Sequence, residues 1–355
     1  MIYKRFTVKY IYSLIVLILI IFFVNIIIDP YGIFETNILK NQQFNERYLK
    51  AKYLLENHNK YNSYIIGSSR VGNTNPKLLE KYIPNSRFYN YTVAAANIKD
   101  YYKTIQWMID NKFEIKNIYM QIDLDSMNLY GQDNNNLLVK NHPSISGESY
   151  IEFYLKYLFQ FNLKNIENKI KYNLNSDDRI YDLKNTGMWL RKSKENYINK
   201  YPQEHIKNEI SFHKKYNRTY GINDKYDRII SNFKSIVNLC KMYNINLICF
   251  ITPHNHVFMD RFKVDDVIKF IADLSNIHEI WYFSGYNDIT INNLNYYEYS
   301  HYISKVSYII AKIIFTNSHC DNDLCGVKVN KYNNVEILDK IKLNIETWDS
   351  SRGNK

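Results

Sequence analysis

Apolar residues are laid out along this chain in two different ways. From Ile11 to Ile28 they run almost unbroken, with Ser13 and Asn25 as the clearly polar interruptions and Tyr12 near the start. That stretch is long enough to cross a bilayer core at about 1.5 Å per residue, and it is apolar on every face, unlike a buried core helix. Asp29-Pro30 stops it. A cleaved signal peptide would have a shorter apolar core and a small-residue cleavage site. Ile26, Ile27 and Ile28 stand in that place, so the segment reads as an uncleaved anchor. Lys4, Arg5 and Lys9 precede it, while no Lys or Arg follows until Lys40. The positive-inside rule then leaves the N-terminus in the cytoplasm and the body outside it.

Beyond the anchor, short apolar runs alternate with segments of helical period. Residues 45–58 predict an amphipathic helix, and Tyr64-Ile65-Ile66 predicts a strand ending at Gly67-Ser68-Ser69-Arg70. Strands are expected at 87–93, 117–124, 246–251 and 279–283, with helices at 98–109, 226–243, 264–274 and 301–315. The region 128–220 breaks the rhythm and reads as an insertion of helices and loops, a lid or partner surface. The alternation predicts an α/β domain, a parallel sheet covered on both sides. In such sheets the site lies at the carboxyl ends of the strands. Gly67-Ser68-Ser69, Asp123 and Thr252-Pro253-His254 all fall there.

Composition changes little in this picture. Lys and Arg number 46 against 35 Asp and Glu, a net charge of +11, but the lysines are scattered. Without a basic stripe interleaved with aromatics, nucleic acid is not an expected partner. Cys240 and Cys249 sit in apolar segments and read as buried thiols. Cys320 and Cys325, in a polar stretch, read equally as a small-loop disulfide or as two free thiols.

A serine hydrolase needs a hydroxyl at a strand end, an imidazole within reach and a carboxylate to orient it. Ser69 and His301 meet the first two requirements. Glu298 lies three residues before His301, and a loop leading into a helix would let its carboxylate turn back to Nδ1. Two other chemistries are weighed against this. His254 and His256 as metal ligands lack a carboxylate or Cys cluster beside them, and His254 reads instead as a loop residue near substrate. Asp123 and Asp125 as a glycosidase acid pair is the other.

These residues resemble the SGNH (GDSL-like) hydrolase superfamily. Gly67-Ser68-Ser69 matches its first block, and Glu298-Tyr299-Ser300-His301 its last, with Glu for the usual Asp. Tyr89 to Ala96 stands where the second block lies, and Tyr282-Phe283-Ser284-Gly285 is similar to a segment of membrane-anchored members linked to cell-surface polysaccharide O-acylation. The second-block Gly is replaced by Ala95 or a neighbour. The third-block Gly-x-Asn-Asp is absent, with Gln121-Ile122-Asp123-Leu124-Asp125 in its place, so Asn73 and Asn97 are the candidate oxyanion donors and Arg70 a further substrate contact.

The resemblance implies a three-layer α/β/α (SGNH/flavodoxin-like) fold and an esterase or O-acyltransferase acting on a cell-envelope glycan. No cofactor and no metal are implied, and a multispan acyl-donating membrane protein is an implied partner. The alternative is a non-catalytic protein of the same fold that binds glycan or scaffolds an assembly complex. The implied boundaries are 1–10 for a cytoplasmic N-terminus, 11–28 for the anchor and 29–60 for a connecting segment. The α/β domain takes 61–127 and 221–318, interrupted by the insertion 128–220 and followed by a tail, 319–355.

Overall fold

The computed structural model describes residues 2–36, 38–39, 44–128, 136–174, 180–318 and 324–353. They form two compact units, one of residues 1–52 with 132–180, the other of 53–131 with 181–355.

The first unit begins with the helix Ile2–Ile28. Among the described residues it is the one helix long and apolar enough to cross a membrane, over Arg5–Ile28. Asp29 ends it in a left-handed conformation (φ 44°), and its carboxylate accepts the amides of Ile33, Phe34 and Glu35 at 2.9–3.1 Å. That carboxylate turns the chain away from the helix axis. The helices Tyr150–Phe159 and Leu163–Leu174 pack on the N-terminal helix. Asn25 Nδ2 donates to the carbonyls of Leu158 and Gln160 at 2.8 and 3.2 Å, which accounts for a polar side chain in an apolar run.

The second unit is built on a six-stranded sheet. Its strands are β1 (Ser63–Gly67), β2 (Phe88–Thr92), β3 (Asn117–Ile122), β6 (Asn246–Ile251), β7 (Ile280–Tyr282) and β10 (Val327–Val329). Two small ribbons pair β4 (Ile180–Tyr181) with β5 (Trp189–Leu190) and β8 (Tyr296–Glu298) with β9 (His301–Tyr302). The sheet order is β10-β7-β6-β3-β1-β2. Every pairing is parallel except β10 with β7. The chain moves outward from β1 to β2, then crosses back to β3 on the other side. The β1/β3 junction is therefore a topological switch point, where such sheets open a crevice.

Alternation along the strands divides the core. Ile65, Tyr119 and Phe250 face the helix Ser304–Thr316, meeting Val306, Ile310 and Ile314. The helices Ile98–Asp110, Tyr226–Met242 and Val264–Ile277 pack side by side.

The structure departs from the sequence expectations in three places. His301 does not open a helix: it lies on β9, and that helix starts at Ser304. The tail from 319 is not all irregular. It supplies the edge strand β10 and the helix Asn334–Gly353, which packs on Val264–Ile277 through Ile337, Ile341 and Ile345. The insertion 128–220 is divided, with 132–180 in the first unit and 181–220 in the second. Trp189, Ile198 and Phe212 from the latter stretch are buried in the same core as Tyr296, Tyr297 and Tyr302, so it is body and not lid. The cysteines do not depart from those expectations: Cys240 and Cys249 are free and buried as expected, and Cys325 is disulfide-bonded, while Cys320 lies outside the described residues.

Trp189 is 1% exposed and sits over Gly72, whose missing Cβ would come within 2.0 Å of Nε1. Trp189→Ala should lower the stability of the second unit by about 3–5 kcal/mol, read by urea denaturation of the detergent-solubilised chain. A loss well under 1 kcal/mol would show that this stretch is not part of the core.

Candidate active site

β1 ends in a residue that must be glycine, since a Cβ at Gly67 would lie 2.5 Å from Val71 and 2.7 Å from Gln121 Oε1. The chain then enters a 3-10 turn, Ser69–Val71. Three strand ends hold that turn. The Ser68 amide donates to Gln121 Oε1 at 2.8 Å, and Gln121 Nε2 donates to Thr252 Oγ1 at 2.6 Å. Ser68 Oγ donates to Asp123 Oδ2 at 2.7 Å, which turns the first serine inward. The next side chain, Ser69, is left half-exposed.

Ser69 Oγ lies 2.8 Å from His301 Nε2. His301 Nδ1 hydrogen-bonds to Glu298 Oε1, and Glu298 Oε2 accepts the Ser300 amide at 2.9 Å. A carboxylate at Nδ1 places the proton there, which leaves the Nε2 lone pair to accept from the serine hydroxyl. Burial alone would raise the Glu298 carboxyl. The hydrogen bond and charge of His301 outweigh it and hold the group below the ordinary range, so Glu298 is ionised. Glu298 and His301 are cross-strand partners of the β8–β9 hairpin, a stiffer arrangement than the expected loop.

That hairpin is buttressed by residues the sequence left unmarked. His205 Nε2 meets the Tyr296 carbonyl at 2.9 Å, and Ser211 Oγ accepts the Tyr299 amide at 3.1 Å. Glu195 accepts both the Ser304 amide and hydroxyl, at 2.9 and 2.7 Å. The Trp189 ring stands edge-on to His301 at 6.3 Å. All four come from the stretch taken for an insertion, where no motif signals them.

The remaining candidates separate. Ala95 has φ 51°, a conformation that favours glycine. It lies in the 93–97 loop leaving β2, which is pinned to β1 by the Val93 amide on the Gly67 carbonyl at 3.2 Å. Asn97 caps the helix Ile98–Asp110: its Oδ1 accepts the amides of Lys99 and Asp100. Its Nδ2 is buried and has no partner among the described residues. An orphaned donor costs about 1–3 kcal/mol. Asn73 is not such a donor, because Nδ2 is spent on the Tyr302 carbonyl at 2.7 Å and Oδ1 on Ser307 at 3.1 Å.

Arg70 and His254 are not placed as substrate contacts. The Arg70 guanidinium reaches Asp123 at 2.7 Å, both oxygens of Asp125 at 3.1–3.2 Å, and the Ser300 carbonyl through Nε at 3.2 Å. These acceptors are all internal, and the guanidinium carbon lies 4.7 Å from the Phe258 ring centre. His254 is buried behind Asp123, with Nδ1 3.0 Å from Ser284 Oγ and the ring stacked on Phe258. Asp123, Asp125 and His254 bring possible ligand atoms within 4.8 Å of one another, yet the Arg70 guanidinium already supplies the positive charge there. The same ion pairs remove the two aspartates from duty as a glycosidase pair.

No protein-family model matches the chain, and no curated protein matches it in sequence.

Burial, followed by the charge of Arg70, lowers the His254 imidazole to about 3. Between that value and the ordinary 6.5 the unfolded chain binds a proton that the folded one refuses, so stability falls as the pH falls through this window. The stability advantage of wild type over His254→Asn should shrink by about 1.4 kcal/mol for each pH unit below ~6.5. Urea midpoints at pH 7, 6 and 5 check this, and a pH-independent difference contradicts it.

Proposed function

We propose that this protein is a membrane-anchored serine acyl-ester enzyme of the SGNH-like kind, an esterase or O-acyltransferase acting on a cell-envelope glycan. The observation that carries the reading is the alignment of Ser69, His301 and Glu298 in one hydrogen-bonded line at the switch point of a doubly wound sheet. The left-handed Ala95 in the position where the resemblance expects glycine supports it as well.

Ser69 Oγ attacks the ester carbonyl as His301 Nε2 takes its proton, and Glu298 stabilises the imidazolium that forms. The tetrahedral oxyanion is held by backbone amides of the Ser69 turn and by Asn97 Nδ2, the buried donor left without an acceptor. Collapse releases the alcohol, which receives the proton from His301, and leaves an acyl group on Ser69. Water or a sugar hydroxyl, deprotonated by the same nitrogen, then takes the acyl group.

The extracytoplasmic location rests on the charge asymmetry around the N-terminal helix. A disulfide at Cys325 agrees with an oxidising compartment. Through this anchor the enzyme would work beside a multispan acyl-donating partner.

A fluorophosphonate probe should label Ser69 in the full chain, and Ser69→Ala and His301→Ala should abolish both labelling and hydrolysis of a small aryl acetate. Asn97→Ala should keep labelling detectable and lower kcat about 10²–10³-fold. If wild type and both triad variants were equally inert while glycan binding persisted, the protein would be a binding module on this fold.

A further inference from the structure

Next to the triad, the second unit carries two cations with no anionic partner. The Arg261 guanidinium carbon lies 4.6 Å from the ring centre of Phe258, 5.3 Å from that of Tyr220 and 5.6 Å from that of Tyr216. Among the described residues its guanidinium makes no hydrogen bond or ion pair. Asp125 acts on it through space, but both Asp125 oxygens are bonded to Arg70. Lys214 is exposed, stands 5.2 Å over the Tyr299 ring, and likewise has no carboxylate. The neighbouring arginines differ, since Arg218 is held by Asp349 and Arg352 by Asp260.

The two cations flank an aromatic platform. Tyr216 and Tyr299 stack at 6.2 Å and 11°, and Phe258 meets Tyr299 at 5.4 Å. Tyr299 lies between Glu298 and Ser300, so the platform belongs to the hairpin that carries His301. Ring faces attract the weakly positive C–H face of a sugar through their quadrupole. A guanidinium resting on rings keeps its in-plane donors unused, and those donors match a carboxylate bidentately.

We propose that Arg261, Lys214, Tyr216 and Tyr299 form a subsite for a carboxylate-bearing sugar of the glycan, beside the Ser69–His301 centre. It deepens the esterase reading and rests on it for the site's place in a reaction, but not for binding.

Binding is measured with the full chain in detergent carrying Ser69→Ala. The probes are an oligogalacturonate, a neutral xylo-oligosaccharide of equal length and a phosphorylated oligosaccharide. The oligogalacturonate should bind at least about tenfold more tightly than the neutral probe, with affinity falling as salt rises. Lys214→Ala should weaken it several-fold, and Arg261→Gln with Lys214→Ala should bring it to the neutral level. Lys214→Glu, at an exposed position that leaves folding intact, should weaken the acidic probe alone.

Equal affinity for acidic and neutral probes, or unchanged affinity in Lys214→Glu, would overturn the subsite. Binding of the phosphorylated probe alone would overturn the carboxylate assignment. Ser69 labelling in the unsubstituted chain separates the two readings. Labelling without an acidic preference sinks the subsite alone, and acidic preference without labelling sinks the esterase alone.

A separate observation in the first unit carries a second proposal. The helix Tyr150–Phe159 buries Phe153 and Tyr157 yet exposes Ile151, Leu155 and Phe159, one face at four-residue spacing. The helix Leu163–Leu174 exposes Leu163, Ile170 and Leu174. Both pack on the apolar N-terminal helix, and Phe22 meets Phe159 at 6.0 Å. We infer that these outward apolar faces lie in the interfacial layer of the bilayer that the N-terminal helix enters.

Spin labels at Leu155→Cys and Ile170→Cys in bilayer-reconstituted chain should be reached by oxygen and shielded from a water-soluble nickel chelate. A label at Lys164→Cys, exposed and about 100° around the helix from Leu163, should show the reverse. Equal nickel access at all three sites would overturn the placement.

Discussion

The candidate centre depends on one buried cation. Arg70 directly follows Ser69, and its guanidinium is held by Asp123 and Asp125 at the end of β3. Its Nε also binds the Ser300 carbonyl, the residue before His301. One side chain thus ties the serine turn, the third strand and the histidine hairpin together. Two buried carboxylates so close would repel each other without it, and the cation would be costly to bury without them. Ser68 and Thr252 complete the set by donating to Asp123 at 2.7 and 3.1 Å. The Ser69 hydroxyl is therefore left half-exposed in a turn whose neighbours Ser68 and Arg70 are committed inward.

The features legible in the sequence were those written in local patterns. The uninterrupted apolar run gave the anchor helix, and short β-rich runs gave the parallel strands to within a residue or two. Ser69 and His301 could be named because one follows a strand and glycine turn, and the other sits beside a carboxylate. What local pattern does not carry is the partner each polar group finds. Arg70 and His254 look like site residues at strand ends, and only the fold reveals that Asp123 and Asp125 draw the first inward while Ser284 and Phe258 hold the second. Asn73 and Asn97 are equivalent on paper. One is consumed by Tyr302 and Ser307, while the other keeps a free amide because its carbonyl oxygen does the capping.

The region 181–220 shows the same limit from the packing side. Its Lys, Asn and Tyr content conceals Trp189, Ile198 and Phe212, which are isolated along the chain but meet in one core. The helix Asn334–Gly353 is also dominated by polar residues, and its buried isoleucines recur on a single narrow stripe. Both segments are recruited by surfaces that other elements present, so no periodicity of their own is needed to place them.

The β8–β9 hairpin separates two properties that are usually entangled. Glu298 and His301 are paired within four residues, so their mutual geometry travels with the hairpin as a unit. Contact with Ser69 is made across a gap of 232 residues. A small sliding of the hairpin would change the Ser69–His301 contact and leave the Glu298–His301 pair as it is. The first contact is a matter of docking distance, the second a matter of hairpin register.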